Sequence, residues 1–239
     1  MTAHLRWRYQ TVPGAANEDV ALSRVNEMMS QPHLGGRLDC GLLRLATIVL
    51  SSLHLASDAG AQVEQHSCSR LYLEVEEITP PPLQYQDFCD AFPGDCRMIG
   101  TPVLDWNEEL VHLLERINRE VNAAIAFMPD PEWWGEEERW SYPVHGHGDC
   151  EDVALEKRKA LVSIGLPRAA MTMAIVHHVE KPSNHAVLLV ETTGGTWVLD
   201  SLVDEVLCWN RAGLNYESRE RVDGQWERYD QSSWHRSSR

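Results

Sequence analysis

The stretch GHGDCEDVALEKRKALVSIGLP, residues 146–167, decides the fold, because it sets a thiol among three acids at the head of a helix. Gly148 or Asp149 can cap that helix, and Asp152 stands in a first turn where the macrodipole favours an acid. Val153, Lys157, Ala160, Leu161 and Ile164 then recur at helical spacing, and Gly165 with Pro167 ends the run. A thiol at such a terminus meets unsatisfied N–H groups and the positive end of the dipole, both of which favour the thiolate. Asp149, Glu151 and Asp152 oppose that effect unless they turn away or a cation neutralises them.

Downstream, the runs MTMAIVHHV (171–179), HAVLLVET (185–192) and TWVLDS (196–201) carry the β-branched content of strands, and a turn at Thr193-Gly194-Gly195 joins the last two as a hairpin. If Thr193 and Gly194 are the central turn residues, the numbers of paired residues sum to 387. Asp200 then faces Val187 and shares a face of the sheet with His185, because side chains alternate with a period of two. Upstream, residues 103–127 place Leu110, Leu113, Leu114, Ile117, Val121 and Ile125 on one helical stripe with Glu and Arg opposite. Residues 62–102 are broken by ITPPPLQ and FPGDC and read as loop, with one short strand near LYLEV. MPDPEWWGEEERWSYPVHGHG (128–148) reads as a loop that borders a site or packs as a lid. A helix packed on an antiparallel sheet places the chain in the α+β class. Trp133, Trp134, Trp140, Trp197, Trp209 and Trp226 are read mainly as core, and the tail QSSWHRSSR as loose.

The 239 residues, with 43 % hydrophobic content and nine tryptophans, suit one globular unit with some appended sequence. A formal charge of -15 leaves no basic face for a nucleic-acid backbone, which excludes nucleic acid as a partner. Residues 42–56, LLRLATIVLSSLHLA, followed by Ala59 and Ala61 at A-x-A spacing, have the shape of a secretory signal, with Met28 or Met29 as the matching start. The expected organisation is therefore an upstream extension over 1–28, a signal peptide over 29–61 and one domain over 62–239. Cleavage near Ala61 leaves five of the six cysteines, an odd number. Cys89 and Cys96 flank a Pro-Gly turn, Cys68 and Cys208 can form a second pair, and Cys150 is then the free thiol.

Cys150, His185 and Asp200 are residue types that can form a nucleophile, a base and the group that orients it. A second possibility is a zinc protein using His145, His147, Cys150, His177, His178 and His185, although their spacing matches no standard site. A third is a degenerate module that grips a peptide without cutting it.

The block GHGDCEDVALEKRKALVSIGLP, the segment NHAVLLVETTGGTWVLDS and the trailing CW (208–209) resemble the bacterial transglutaminase-like cysteine peptidases. FCDAFPGDC (88–96), the helix around EELVHLLERINREVNAAI and ERWSYP (138–143) look like that family as well, so the resemblance spans roughly residues 85–228. It implies a papain-like, transglutaminase-like fold with an N-terminal helical part over about 85–130 and a catalytic part over about 140–228. It also implies a periplasmic or secreted cysteine peptidase acting on a protein substrate such as a surface adhesin, with amine transfer as the alternative outcome. Cys150 would be the nucleophile, His185 the general base and Asp200 its partner, and Asp149, Glu151 and Asp152 would hold Ca2+, a cation that suits carboxylate oxygens. Two positions depart from the family pattern: Val153 stands where an aromatic commonly follows DCED, and Ser201 where an Asn commonly follows the Asp.

Overall fold

The computed structural model describes residues 68–180, 183–232 and 234, so the expected extension and signal segment lie outside the described residues. The central helix, α4 (Cys150–Ser163), packs on an antiparallel seven-stranded sheet. Before it in the chain come β1 (Val75–Thr79), α1 (Leu83–Ala91), α2 (Glu108–Ala124), β2 (Ala126–Phe127), α3 (Asp130–Trp133) and β3 (His147–Gly148). A short 3-10 turn (Arg168–Ala170) follows it and leads into β4 (Met171–His178), β5 (Asn184–Thr192), β6 (Gly195–Leu199), β7 (Leu207–Cys208), β8 (Leu214–Glu220) and β9 (Trp226–Tyr229). The large sheet runs β1-β9-β8-β4-β5-β6-β7, while β2 and β3 form a separate parallel pair.

The three strands expected after α4 form where the residues indicated. β5 and β6 pair Leu188 with Leu199, Leu189 with Val198 and Thr192 with Gly195, so the register sum is 387. Ala186, Leu188 and Val190 of β5 face the helices, joining Leu114, Val153, Leu155 and Leu161 in the larger core. The alternate residues Val187 and Leu189 join Ala174, Val176, Leu214 and Tyr216 in a second core on the other face. Helix α4 is buried on nearly every side, with Leu161 fully covered, whereas Ile164, expected to continue its apolar stripe, is 44 % exposed just past the helix end.

Three corrections concern the flanks. Helix α2 begins only at Glu108, because Asn107 caps it by accepting the Leu110 N–H at 2.9 Å. The arm expected to be mostly loop contains a helix: Pro80-Pro81-Pro82 ends the preceding strand but leads directly into α1, since proline costs a helix nothing at its start. The strand on that arm is displaced to Val75–Thr79 from the LYLEV segment.

Two disulfides join Cys68 to Cys208 and Cys89 to Cys96, with Cα atoms 5.4 and 5.5 Å apart, which leaves Cys150 as the free cysteine among the described residues. The first ties the N-terminal arm to the edge strand β7, and the second closes the turn after α1. No helix among the described residues is long and apolar enough to cross a membrane.

Candidate active site

The approach to α4 is set by a two-residue turn. Val144 and His147 exchange both backbone hydrogen bonds, and His145 and Gly146 between them have φ of 55° and 75°. Positive φ at both central positions defines the tightest hairpin turn, which glycine adopts freely and histidine at some cost. His147 then stacks on Trp133, with ring centroids 5.3 Å apart. Gly148 lies so close to α4 that a Cβ there would sit 2.8 Å from the Asp152 side chain. The five residues from His145 to Asp149 thus bring the chain to Cys150, the first residue of the helix.

The thiol donates to Glu151 Oε2 at 3.2 Å and accepts the Ala186 N–H at 3.3 Å. Burial pushes its pKa well above the ordinary thiol range, and the Glu151 carboxyl raises it further. One residue before Ala186, His185 Nε2 donates to Asp200 Oδ1 at 2.7 Å; both side chains are about 95 % buried. Burial opposes ionisation of Asp200, but the hydrogen bond and charge of His185 outweigh it and hold the carboxyl below its usual range. The Leu202 N–H also reaches Oδ1, at 2.9 Å. A carboxylate only accepts, so Nε2 carries a hydrogen and Nδ1 is the nitrogen left to exchange a proton with another group. The structure therefore brings His185 and Asp200 into contact, and it brings Cys150 against the backbone of the strand that carries His185. Thiol and imidazole are not hydrogen-bonded to each other.

The acids of the DCED block separate into two groups. Asp149 occupies the N-cap position without making a capping hydrogen bond; its Oδ2 accepts the Asp130 N–H at 3.3 Å. Ligand oxygens of Asp130, Asp149 and Glu151 all lie within 4.8 Å of one another. Glu151, 2 % exposed, has its pKa pushed up to about 11 by burial and by its hydrogen bond to Asp149. Asp149 Oδ1 and Glu151 Oε1 are buried without a hydrogen-bond partner. Asp152 does not join this cluster: its Oδ1 accepts the Ser141 N–H at 2.9 Å and the Ser141 hydroxyl at 3.2 Å, fastening the 136–143 loop to the helix. Of the three acids expected from the sequence, Asp149 and Glu151 thus stand together with Asp130, while Asp152 is bonded to Ser141 on the loop side of α4.

Three further residues shape the site. Asn122 Nδ2 donates to the Asp200 carbonyl at 3.1 Å, and Asn118 Nδ2 donates to the Val203 and Asp204 carbonyls at 2.8 and 3.0 Å, so α2 holds the turn that follows β6. The signal for them is an asparagine on or beside an apolar stripe: Asn118 follows Leu114 by one helical turn and is fully buried. Lys157, also fully buried, has no hydrogen-bond partner for Nζ; burial lowers its pKa to about 7, against the pull of Asp200 and Asp204. Its place on the buried stripe was legible, but its proximity to Asp200 requires the tertiary fold.

Residues 75–233 match the model of a family described as bacterial transglutaminase-like cysteine proteinases. No curated protein matches the chain. Among solved structures, calcium-bound LapG of Legionella pneumophila is 27 % identical over 50 % of this chain and 71 % of that one, with a TM-score of 0.42. A second structure of LapG of the same organism is 28 % identical over 49 % of this chain and 68 % of that one, with a TM-score of 0.43, and its EGTA-treated form is 28 % identical over 50 % and 67 %, also at 0.43. With most of its length covered by the family model and the α+β architecture that the family carries, the chain belongs to the bacterial transglutaminase-like cysteine proteinases and is a cysteine peptidase of papain-like fold.

Proposed function

We propose that the protein is an exported, calcium-dependent peptidase that hydrolyses a peptide bond of a protein substrate, with Cys150 as nucleophile, His185 as general base and Asp200 as the group that orients the base. One observation carries this reading: the buried His185–Asp200 hydrogen bond of 2.7 Å stands one residue from the amide that contacts Cys150 Sγ at the head of α4. Asp200 keeps the hydrogen on Nε2, so His185 Nδ1 takes the thiol proton as substrate closes the gap between the two side chains. The thiolate attacks the peptide carbonyl carbon and forms the C–S bond. The imidazolium then gives its proton to the amine, which leaves as the C–N bond breaks. Water, deprotonated by His185, attacks the thioester and releases the new carboxyl terminus and the thiol.

Asp130, Asp149 and Glu151 suit a hard cation, since three carboxylates converge and two of their buried oxygens lack any partner. Calcium bound there supplies positive charge beside Cys150 and cancels the opposition of these acids to the thiolate. Export is supported by the apolar run at 42–56 and by two disulfides, which persist in oxidising compartments. A surface adhesin is the proposed substrate class, on the family resemblance.

Mass spectrometry of exported proteins from cells carrying the wild type or Cys150→Ala, with and without a calcium chelator, tests the whole reading. New termini should appear only with the intact thiol and calcium. Cleavage persisting in Cys150→Ala would refute the nucleophile, and isopeptide bonds in place of new termini would replace hydrolysis with amine transfer.

A further inference from the structure

The six histidine and cysteine positions that a zinc reading of the sequence gathers are separated by the fold. His145 and His147 belong to the turn before α4, with His147 stacked on Trp133. His177 Nε2 pairs with Glu217 Oε2 at 2.6 Å. His178 differs from all of these. In the β4–β5 register Val176 faces His185, so His178 lies diagonally from His185 on the same face of the sheet. Asp200 shares that face through the β5–β6 register. The His178 and His185 rings stack with centroids 5.0 Å apart, and one ligand atom from each of His178, His185 and Asp200 lies within 4.8 Å of the other two. His178 Nε2 is buried with no hydrogen-bond partner, a condition that costs stability unless something binds it.

We infer that His178, His185 and Asp200 form a second metal site, selective for zinc or a similar borderline divalent ion, whose occupation switches the peptidase off. Two imidazoles and a carboxylate are the donor set of tri-ligated zinc with an open fourth position, and they suit calcium poorly because calcium prefers an all-oxygen shell. The three ligands come from neighbouring strands, so their positions are fixed by the register of the sheet. The Leu202 N–H steadies Asp200 through Oδ1, and the ion takes the place of the hydrogen that His185 Nε2 shares with this carboxylate. An ion shared with Asp200 must sit on Nε2, which moves the ring hydrogen to Nδ1 and leaves no basic nitrogen for the proton of the thiol. The site is distinct from the acid cluster at Asp130, Asp149 and Glu151. The inhibition rests on the proposed role of His185, whereas the binding does not.

The test titrates zinc chloride into the full chain held in excess calcium, by isothermal calorimetry, and repeats it with His178→Gln, His177→Gln and Cys150→Ser. One equivalent should bind the wild type, His177→Gln and Cys150→Ser alike. His178→Gln should lose at least about tenfold in affinity, the loss that removing a mere support of a ligand already causes. Cobalt(II) added to the wild type gives a check that needs no variant: visible bands of a four-coordinate nitrogen and oxygen site, without a thiolate charge-transfer band. Absence of zinc binding, unchanged affinity in His178→Gln, or loss of binding in Cys150→Ser would each overturn the site. Hydrolysis of a fluorogenic peptide pool should fall as the same equivalent binds and return when a zinc-selective chelator is added. If binding occurs but hydrolysis continues, the inhibitory role is wrong; if the pool is not cleaved even without zinc, the peptidase reading fails and calorimetry still decides the site.

Discussion

Helix α4 buries charge in its first turn and again two turns later, and the two regions solve the cost of burial differently. At the later one, Arg158, 1 % exposed, donates to Glu220 Oε2 at 2.6 Å and to the Tyr85 hydroxyl at 2.9 Å. Glu220 also accepts the Tyr85 hydroxyl and the Met173 N–H, so most of the polar atoms there meet a partner supplied by the chain. At the first turn, Asp130, Asp149 and Glu151 converge without a salt bridge to any of them among the described residues, and burial, with Asp149 beside it, pushes the pKa of Glu151 up to about 11. A buried charge whose counter-charge is part of the sequence serves the fold, while on the proposed reading the first-turn acids take their counter-charge from calcium.

Breaking the satisfied end should have the largest effect. Glu220→Leu leaves the Arg158 guanidinium buried without its carboxylate, and removing one partner of such a pair costs about 3–5 kcal/mol. Arg158→Met with Glu220→Leu should recover much of that loss in urea unfolding; if the double variant is as unstable as the single, the pair contributes more than mutual compensation. The open end should respond to calcium instead. At a concentration a hundredfold above Kd, calcium should raise stability by about 2.7 kcal/mol. Glu151→Gln, which mimics the protonated acid, should leave calcium-free stability nearly unchanged and abolish most of the gain. A large calcium-free loss in that variant would mean that Glu151 is structural and the contrast between the two regions is false.

The same contrast explains what was legible in the residues. The strands β4, β5 and β6 and their register could be read because apolar runs and a Gly-Gly turn specify them, and with the register came the shared face of His185 and Asp200. Strand β8 could not: a bulge between Tyr216 and Ser218 shifts its buried residues from the Val176 face to the Ile175 face, and on that second face Ser218 and Glu220 are polar, so no single hydrophobic period runs through it. Asp130 was missed for a related reason. It opens the four-residue helix α3 between two prolines, and only the packing of that segment on the head of α4 brings it to Asp149, with Asp152 bonded to Ser141.

Lys157 lies between the two regions, a buried cation with acids nearby but no hydrogen bond, and pH should expose that intermediate state. Its folded pKa, about 7, is below the unfolded value of 10.5, so the unfolded chain binds more protons between these limits and stability must rise with pH across that window. Between pH 7 and 9 the contribution is roughly 1 kcal/mol per pH unit, read as the difference between wild type and Lys157→Met in urea unfolding. A flat difference would show that Lys157 stays charged and compensated in the fold, as Arg158 does.

The smallest effect belongs to the turn that delivers the chain to the open end. His145 holds φ of 55° where glycine would do so freely, and Gly146 beside it holds 75°. His145→Gly removes the steric penalty of a Cβ in the left-handed region but adds freedom to the unfolded chain, so the two nearly cancel and stability should move by no more than about 1 kcal/mol. Gly146→Ala runs the same two effects in reverse, with the penalty of the Cβ in the left-handed region the larger, and should destabilise by about 1 kcal/mol. The calcium-induced gain in both variants separates two roles for the turn. If the gain is unchanged, Asp149 and Glu151 are positioned by packing of the helix on the sheet; if it shrinks with Gly146→Ala, the turn itself sets the spacing of the carboxylates.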